Sequence, residues 1–209
     1  MTALAALLLL TAALADPGLT LEESRRLLRS GSVDERREAV VQLGTNGDMS
    51  VVPALVEALR DEDPGVRGLA EVALWQVWSR SGDAEVDRLL LEGIALTEAR
   101  RLPEAVEKFN EVIARAPAFA EGWNRRATAY YLMREFEKSL ADCEEVVRRN
   151  PHHFGALSGF GLNYIQLGQL EKALHYFERA LAVNPNLTGV EQVVKELREI
   201  LRQRRRETI

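Results

Sequence analysis

Apolar residues recur every three or four positions through most of the chain, with polar residues between them. Between residues 190 and 201, for example, Val190, Val193, Val194 and Leu197 fall on one helical face and polar residues occupy the other. This spacing is typical of amphipathic α-helices. The pattern therefore predicts an all-α fold whose helices bury one face each.

Prolines interrupt this helical pattern at a fixed interval. Pro117, Pro151 and Pro185 are spaced 34 residues apart, and each follows a segment with helical periodicity. Proline cannot continue a helix, so it ends each helix at the same phase of the repeat. The chain is therefore predicted to contain tandem helix pairs of equal length.

Small and large residues keep the same period. Each first helix has a small residue followed three positions later by a large one, and each second helix has a small residue near its start. These columns are Gly93, Ala127 and Gly161, then Leu96, Tyr130 and Tyr164, then Ala105, Ser139 and Ala173. Small residues opposite large ones allow two helices to approach closely, so we expect the two helices of each pair to pack side by side.

With these columns the segment from about 85 to 186 resembles the tetratricopeptide repeat family, whose unit is a 34-residue helix-turn-helix. The resemblance implies three units, at 85–118, 119–152 and 153–186, stacked as an α-solenoid. A last amphipathic helix within 187–209 would cap the final unit. The arginine cluster at its end would complement the helix dipole.

The first two units depart from the family at one column. Glu92 and Arg126 stand where the family usually has an apolar residue. Equivalent positions of stacked repeats are neighbours, so an ion pair between them is one interpretation. The other is that both side chains extend to solvent.

A different repeat precedes these units. Arg36, Ala39 and Leu43 recur 31 residues later as Arg67, Ala70 and Leu74, with another amphipathic segment between the two sets. Asp63 and Pro64 are placed to open the helix that contains Arg67. The region from about 19 to 81 resembles the HEAT family in its short phycobilin-lyase-like variety, which implies architecture only. We assign residues 16–84 to it and expect one continuous curved solenoid with the units that follow.

Two tryptophans lie near the end of this region. Trp75 and Trp78 end its last predicted helix, just before a short linker. We expect them to fill the junction where the HEAT-like helices dock on the first tetratricopeptide unit. The alternative is an exposed aromatic anchor for a partner.

The N-terminus has the features of an export signal. Residues 1–15 carry no charged side chain, and the apolar run from Leu4 to Leu14 ends in Ala13-Leu14-Ala15. We predict a signal peptide cleaved after Ala15 and a periplasmic or secreted protein. The alternative is membrane association through an uncleaved N-terminus, although the run is shorter than the roughly 20 residues that span a bilayer.

Composition and motifs indicate no catalytic chemistry. Cys143 is the one cysteine of the chain, so no intramolecular disulfide can form, and we expect a buried apolar filler. His152 and His153 follow a helix stop with no Cys or Asp cluster beside them, which predicts a solvated loop rather than a metal site. No nucleophile elbow, phosphate loop or His-Glu-x-x-His motif occurs. We expect no enzyme activity, no metal and no cofactor.

The tetratricopeptide resemblance implies a concave groove lined by the first helices of the units. The chaperone-binding members hold a terminal carboxylate there with cationic and amide side chains. Only Arg125 is a cation at the matching columns, so chaperone-tail binding is not expected, and Arg125 and Tyr131 are the predicted anchors. The predicted groove residues are Leu90, Ile94, Asn124, Arg125, Thr128, Tyr131, Ser158, Leu162 and Ile165.

These observations favour a protein-protein interaction scaffold that binds an apolar or amphipathic peptide segment. The net charge of −5 is spread along the chain and no nucleic-acid partner is expected. Two other functions stay open: a structural solenoid that self-assembles into homo-oligomers, and an accessory factor to an enzyme or a pigment-handling system.

Overall fold

The computed structural model describes residues 19–207, so the predicted signal peptide lies outside the described residues. Within this range the chain forms helices and no strands, which confirms the all-α prediction. The helices are α1 (Leu21–Ser30), α2 (Val33–Asn46), a 3-10 turn (Met49–Val51), α3 (Val52–Ala58), α4 (Pro64–Trp78), α5 (Ala84–Glu98), α6 (Leu102–Arg115), α7 (Ala120–Leu132), α8 (Phe136–Arg149), α9 (Phe154–Gln166), α10 (Leu170–Val183) and α11 (Thr188–Glu207).

Local capping residues fix the helices of the N-terminal part, α1 to α4. Thr20 and Ser32 form capping boxes at the starts of α1 and α2. Asp63 caps α4 by accepting a hydrogen bond from the Val66 N–H over 2.9 Å, and Pro64 is the first helical residue. The predicted start of α4 is therefore confirmed.

The helix pairs α5–α6, α7–α8 and α9–α10 share one turn geometry. Arg100, Arg134 and Gly168 have φ values of 61°, 64° and 70°, and they are 34 residues apart. The following N–H in each turn donates to the carbonyl of Leu96, Tyr130 or Tyr164 over 2.8 to 2.9 Å. Because the same left-handed backbone conformation recurs at the same phase, the three pairs are structural copies of one unit.

Close packing within each pair follows the small-and-large columns. A Cβ added to Gly161 would lie 2.6 Å from the Phe177 ring, and one added to Gly93 would overlap Phe109. Ser139 donates from Oγ to the carbonyl of Ala127 over 2.8 Å. The expected close approach of the two helices is confirmed.

The predicted ion pair between Glu92 and Arg126 is wrong, and so is the alternative that both extend to solvent. Arg126 donates to both carboxylate oxygens of Asp142 over 2.7 and 2.8 Å and to Asn110 over 2.7 Å. Glu92 pairs instead with Arg88 and Lys108. Asp142 lies on α8, the second helix of the same pair as Arg126, which brings the two side chains within hydrogen-bonding distance. Burial raises the pKa of Asp142 despite the hydrogen bonds from Arg126.

The N-terminal part does not continue the stack of helix pairs. Trp75 and Trp78 pack against Phe154 and His153, with ring centroids 5.5 Å apart for Trp75 and Phe154 and 4.5 Å for Trp78 and His153. These partners begin the third pair, so the predicted docking on the first unit is wrong. Trp78 is 3% exposed and is not a surface anchor.

Polar contacts extend this docking along the loop edge, which we define as the connections at 116–119, 150–153 and 184–187. Arg67 donates to Asn186 over 3.1 Å, and Asn184 donates to Glu71 over 3.0 Å. Gly82, whose φ is 85°, lies in the short connection between α4 and α5. The predicted α-solenoid of stacked helix pairs is confirmed. The N-terminal part, however, packs along the loop edge of the three later pairs instead of continuing their stack.

The capping role predicted for the last helix is confirmed. Val194, Leu197 and Leu201 of α11 are each less than 5% exposed. Val194 and Leu197 pack with Ala173 and Phe177 of α10. Across residues 19–207, no helix has both the length and the apolar character needed to cross a bilayer.

Candidate functional site

A hollow of about 150 Å³ lies between α7 and α9, the first helices of the second and third pairs, and two residues of α8 also line it. We call this the groove hollow. Five of the nine predicted groove residues line it: Asn124, Thr128, Tyr131, Ser158 and Leu162.

Small side chains form the floor of the groove hollow. Ala127, Ser139, Cys143 and Gly159 all line it, and a Cβ on Gly159 would lie 3.3 Å from the Cys143 sulfur. Burial raises the pKa of the Cys143 thiol to about 12, with a smaller contribution from the charge of Asp142. Cys143 thus stays protonated at neutral pH, in agreement with the predicted filler role.

A buried amide at the groove hollow was missed from the sequence. Asn163 is 1% exposed and donates from Nδ2 to Ser139 Oγ over 2.9 Å and to the Gly159 carbonyl over 2.8 Å. A carbonyl oxygen can only accept, so the amide orientation is fixed. Asn163 Oδ1 then has no hydrogen-bond partner among the described residues. The available signal was an asparagine on the apolar face of α9, four residues after Gly159.

The other four predicted groove residues do not line the hollow. Leu90 is 2% exposed because it belongs to the buried cluster of α5 and α6, and Ile94 packs at the edge of the same cluster. Ile165 packs with the cluster beneath α11. Arg125 donates from Nε to Glu121 over 2.6 Å. Leu91, the neighbour of Leu90, is instead 66% exposed.

A buried polar cluster joins the groove to the loop edge. Glu121 and His153 are both fully buried, with 3.1 Å between Oε2 and Nε2. The Glu121 carboxylate also accepts from Asn124 Nδ2 over 3.1 Å. A solvated loop was expected for His153, and its burial contradicts that prediction because the hydrogen bond to Glu121 satisfies its ring inside the protein. Among the described residues no group of His, Cys, Asp and Glu could hold a metal ion.

Family models match most of the described chain. A model of HEAT repeats matches residues 24–108, and two models of the tetratricopeptide repeat match residues 120–153 and 155–187. The HEAT match runs past the predicted boundary at residue 84 and includes α5. The boundary stays a prediction, although the shared turn geometry groups α5–α6 with the two later pairs.

Several proteins are similar in sequence to this chain. A TPR repeat-containing protein of Rhizobium etli is 36% identical over 135 residues, which cover 64% of this chain and 66% of that protein. The Hsp70-Hsp90 organizing protein of Triticum aestivum is 30% identical over 104 residues, covering 50% of this chain and 18% of that protein. The chain thus spans less than two thirds of the length of either relative.

Solved structures have the same fold at lower identity. The first TPR of Spaghetti (RPAP3), bound to the HSP90 peptide SRMEEVD, matches with a TM-score of 0.55 and 23% identity, covering 57% of this chain and 95% of that one. YrrB, described as a TPR protein with an unusual peptide-binding site, matches with a TM-score of 0.51 and 17% identity over 84% of this chain and 81% of its own. These likenesses show the fold.

Proposed function

Since this chain is a repeat protein that joins HEAT repeats to tetratricopeptide repeats, we propose that it is a non-enzymatic adaptor that holds a peptide segment of a partner protein in the groove of α5, α7 and α9. Repeats of both families generally act as protein-interaction modules. Peptide binding is recorded for the similar domain of Spaghetti, which was solved with an HSP90 peptide.

The observation that carries this proposal is the unpartnered Oδ1 of Asn163. A buried acceptor without a donor costs about 1–3 kcal/mol. A backbone N–H of an extended peptide would supply that donor. The groove hollow is small, at about 150 Å³, which suits one side chain or a peptide backbone rather than a large ligand.

Exposed leucines define the chemistry of the peptide. Leu162 is 41% exposed beside the groove hollow, and Leu91 is 66% exposed on α5. Arg125 is the cation of this groove, and its bond to the buried Glu121 offsets its charge. We therefore propose an apolar or amphipathic segment rather than an acidic chaperone tail.

Site-specific photo-crosslinking tests the groove. A photoreactive residue at Thr128, which is exposed at the groove hollow, should capture a partner segment in cells. The matched control is Ala141, which is exposed on α8 outside the hollow. Mass spectrometry of the adduct then identifies the segment. Equal capture from both positions, or from neither, would contradict binding in the groove.

A synthetic copy of the captured segment allows a quantitative test. Leu162→Ser should weaken its binding roughly tenfold, because an apolar anchor in the groove is lost. Leu132→Ser is the matched control, since Leu132 is 37% exposed on α7 but does not line the groove hollow. Calorimetry that finds equal affinity for both variants would argue against the proposed site.

The proposed function also includes the location of the protein and its oligomeric state. We propose that the protein is exported after cleavage following Ala15, and N-terminal sequencing of the mature protein should then read Asp16 first. We also propose that a single copy binds the segment. Light scattering that finds a stable oligomer would favour the self-assembling alternative instead.

A further inference from the structure

A second cavity, of about 350 Å³, lies where the N-terminal part meets the loop edge. We call it the junction cavity. It shares no lining residue with the groove hollow. Its walls include Trp78 at the end of α4 and Arg80 just after it. They also include Phe119 and Ala120 at the start of α7, and Arg149 and Asn150 at the end of α8. Its volume lies at the lower end of the range of small-ligand sites, which is about 300–1,000 Å³.

Two residues of this wall carry buried N–H donors without an acceptor. The Trp78 indole Nε1 and the Asn150 Nδ2 have no hydrogen-bond partner within residues 19–207. Both residues are at least nine-tenths buried, at 3% and 2% exposure. Asn150 Oδ1 accepts from the His152 N–H over 3.2 Å, which fixes Nδ2 as the unpartnered atom. An indole nitrogen can only donate, so both unpartnered groups require an acceptor.

Electrostatics of the junction cavity favour an anionic acceptor. Its lining contains Arg80 and Arg149 and no aspartate or glutamate. Arg80 bonds to the backbone carbonyls of Gly44, Thr45 and Gly47, none of which neutralises its charge. Arg149 is paired with Glu145.

A helix N-terminus adds to this field. The α7 helix begins at the cavity wall, and its N-cap residue, Phe119, makes no side-chain capping bond. The first N–H groups of a helix have no intrahelical acceptor and carry partial positive charge. The uncapped end of α7 therefore favours the same kind of ligand as the unpartnered side-chain donors do.

Apart from Ser81, whose hydroxyl bonds to Asp87 and to the Asp83 carbonyl, the remaining walls are apolar. Met49, Phe119 and three alanines line the junction cavity, and Met49 is 48% exposed at its solvent side. We propose that the junction cavity binds a carboxylate carried on a small apolar body. The Trp78 and Asn150 N–H groups donate to the carboxylate oxygens, and the apolar walls enclose the body. The carboxylate belongs either to a free organic acid or to the C-terminus of a polypeptide.

Proton–nitrogen correlation spectra of the full chain test this proposal. The probes are phenylacetate, as a free acid, and N-acetyl-phenylalanine, as the mimic of a polypeptide C-terminus. Their amides, phenylacetamide and N-acetyl-phenylalanine amide, are the neutral controls. We expect a saturable downfield shift of the Trp78 indole proton with a carboxylate and none with its amide. The Trp123 indole should not shift, because it already donates to the Pro117 carbonyl over 3.1 Å.

Variants test the same atoms. Trp78→Phe retains an aromatic ring against His153 and removes the N–H, and Asn150→Asp retains the acceptor for His152 while replacing the donor with a negative charge. Each should weaken carboxylate binding roughly tenfold or more. Trp123→Phe is the control and should bind as the native protein does. Thermal unfolding followed by circular dichroism checks that each variant folds.

The outcomes are distinguishable. Binding of phenylacetate alone identifies a free acid, and binding of N-acetyl-phenylalanine alone identifies a polypeptide C-terminus. If none of the carboxylates shifts the Trp78 indole proton of the native protein, the proposal is overturned, whatever the variants do. Equal shifts with acids and amides would also overturn it. None of these results depends on peptide binding in the groove.

Discussion

His153 donates a hydrogen bond from Nε2 to Oε2 of Glu121 over 3.1 Å, and neither side chain is exposed to solvent. The His153 Nδ1 accepts from the Ala156 N–H over 3.0 Å and caps α9, so the ring proton must be on Nε2. Trp78 stacks on the same ring. One imidazole thus joins two helix pairs and the N-terminal part.

Replacing His153 with alanine should be strongly destabilising. The change removes a donor from the buried Glu121 carboxylate, removes the cap of α9 and leaves a void beside Trp78. Together these losses should lower the free energy of unfolding by about 3 kcal/mol. Urea unfolding followed by circular dichroism measures the change.

The adjacent histidine supplies the control. His152 makes its hydrogen bond to Asn150 through its backbone N–H, which an alanine retains. His152→Ala should change the free energy of unfolding by less than about 0.5 kcal/mol. If His153→Ala and His152→Ala lowered the free energy of unfolding by similar amounts, the buried pair of His153 and Glu121 would not contribute specially to stability.

Gly161→Ala should destabilise the third helix pair. The added methyl group would lie 2.6 Å from the Phe177 ring, which is itself buried. Overpacking of this kind costs about 1–3 kcal/mol. Thermal unfolding should therefore show a lower midpoint than that of the native protein.

Replacing a second glycine with alanine should change the stability in the opposite direction. Gly68 lies within α4, and an added Cβ would meet no atom within 4 Å. Gly68→Ala should raise the free energy of unfolding by about 0.5–1 kcal/mol, since alanine favours the helix and nothing obstructs it. If both variants were stabilised, the close approach of α9 and α10 would be wrong.

Local and periodic features of this fold could be predicted from the sequence. The cap at Asp63 depends on neighbouring residues, and the packing of Gly161 on Phe177 depends on a period that recurs every 34 residues. The docking position of α4 depends neither on neighbouring residues nor on the repeat period. Trp78 and His153 belong to different repeat types, and no pattern relates their positions. The contacts of His153 could not be foreseen for the same reason.

The groove shows how a small error of phase changes a site. Leu90 was assigned to the surface, yet it is 2% exposed, whereas Leu91 is 66% exposed. Adjacent helical residues differ by about 100° around the axis, so a shift of one position exchanges a buried side chain for an exposed one. On α7 and α9 the phase was correct for the five residues that surround the groove hollow.

Arg126 and Asp142 should be energetically coupled. Both side chains are mostly buried, and two hydrogen bonds join them. A double-mutant cycle with Arg126→Met and Asp142→Asn should give a coupling of about 1–2 kcal/mol. The cycle with Arg126→Met and Glu92→Gln is the matched control and should give none. Coupling to Glu92 instead would restore the pairing that was expected from the repeat columns.

Acid should weaken the N-terminal part through Asp61. Partial burial alone would raise the pKa of Asp61, but the hydrogen bonds from Arg36 and from the Asp63 N–H outweigh it, and the pKa is lowered from its usual 3.8. A carboxyl whose folded pKa is lowered stabilises the fold above its unfolded value. This contribution is lost as the pH falls through the folded pKa.

Urea unfolding between about pH 5 and pH 2 tests this dependence. Asp61→Asn should be less stable than the native protein at the upper end of that range, and the difference should shrink towards the lower end because the native carboxyl also becomes neutral. Asp34, whose side chain is 94% exposed, supplies the control, and Asp34→Asn should follow the native curve. A gap between the native protein and Asp61→Asn that stays constant down to the lowest pH would mean that the pairing with Arg36 does not depress the pKa of Asp61.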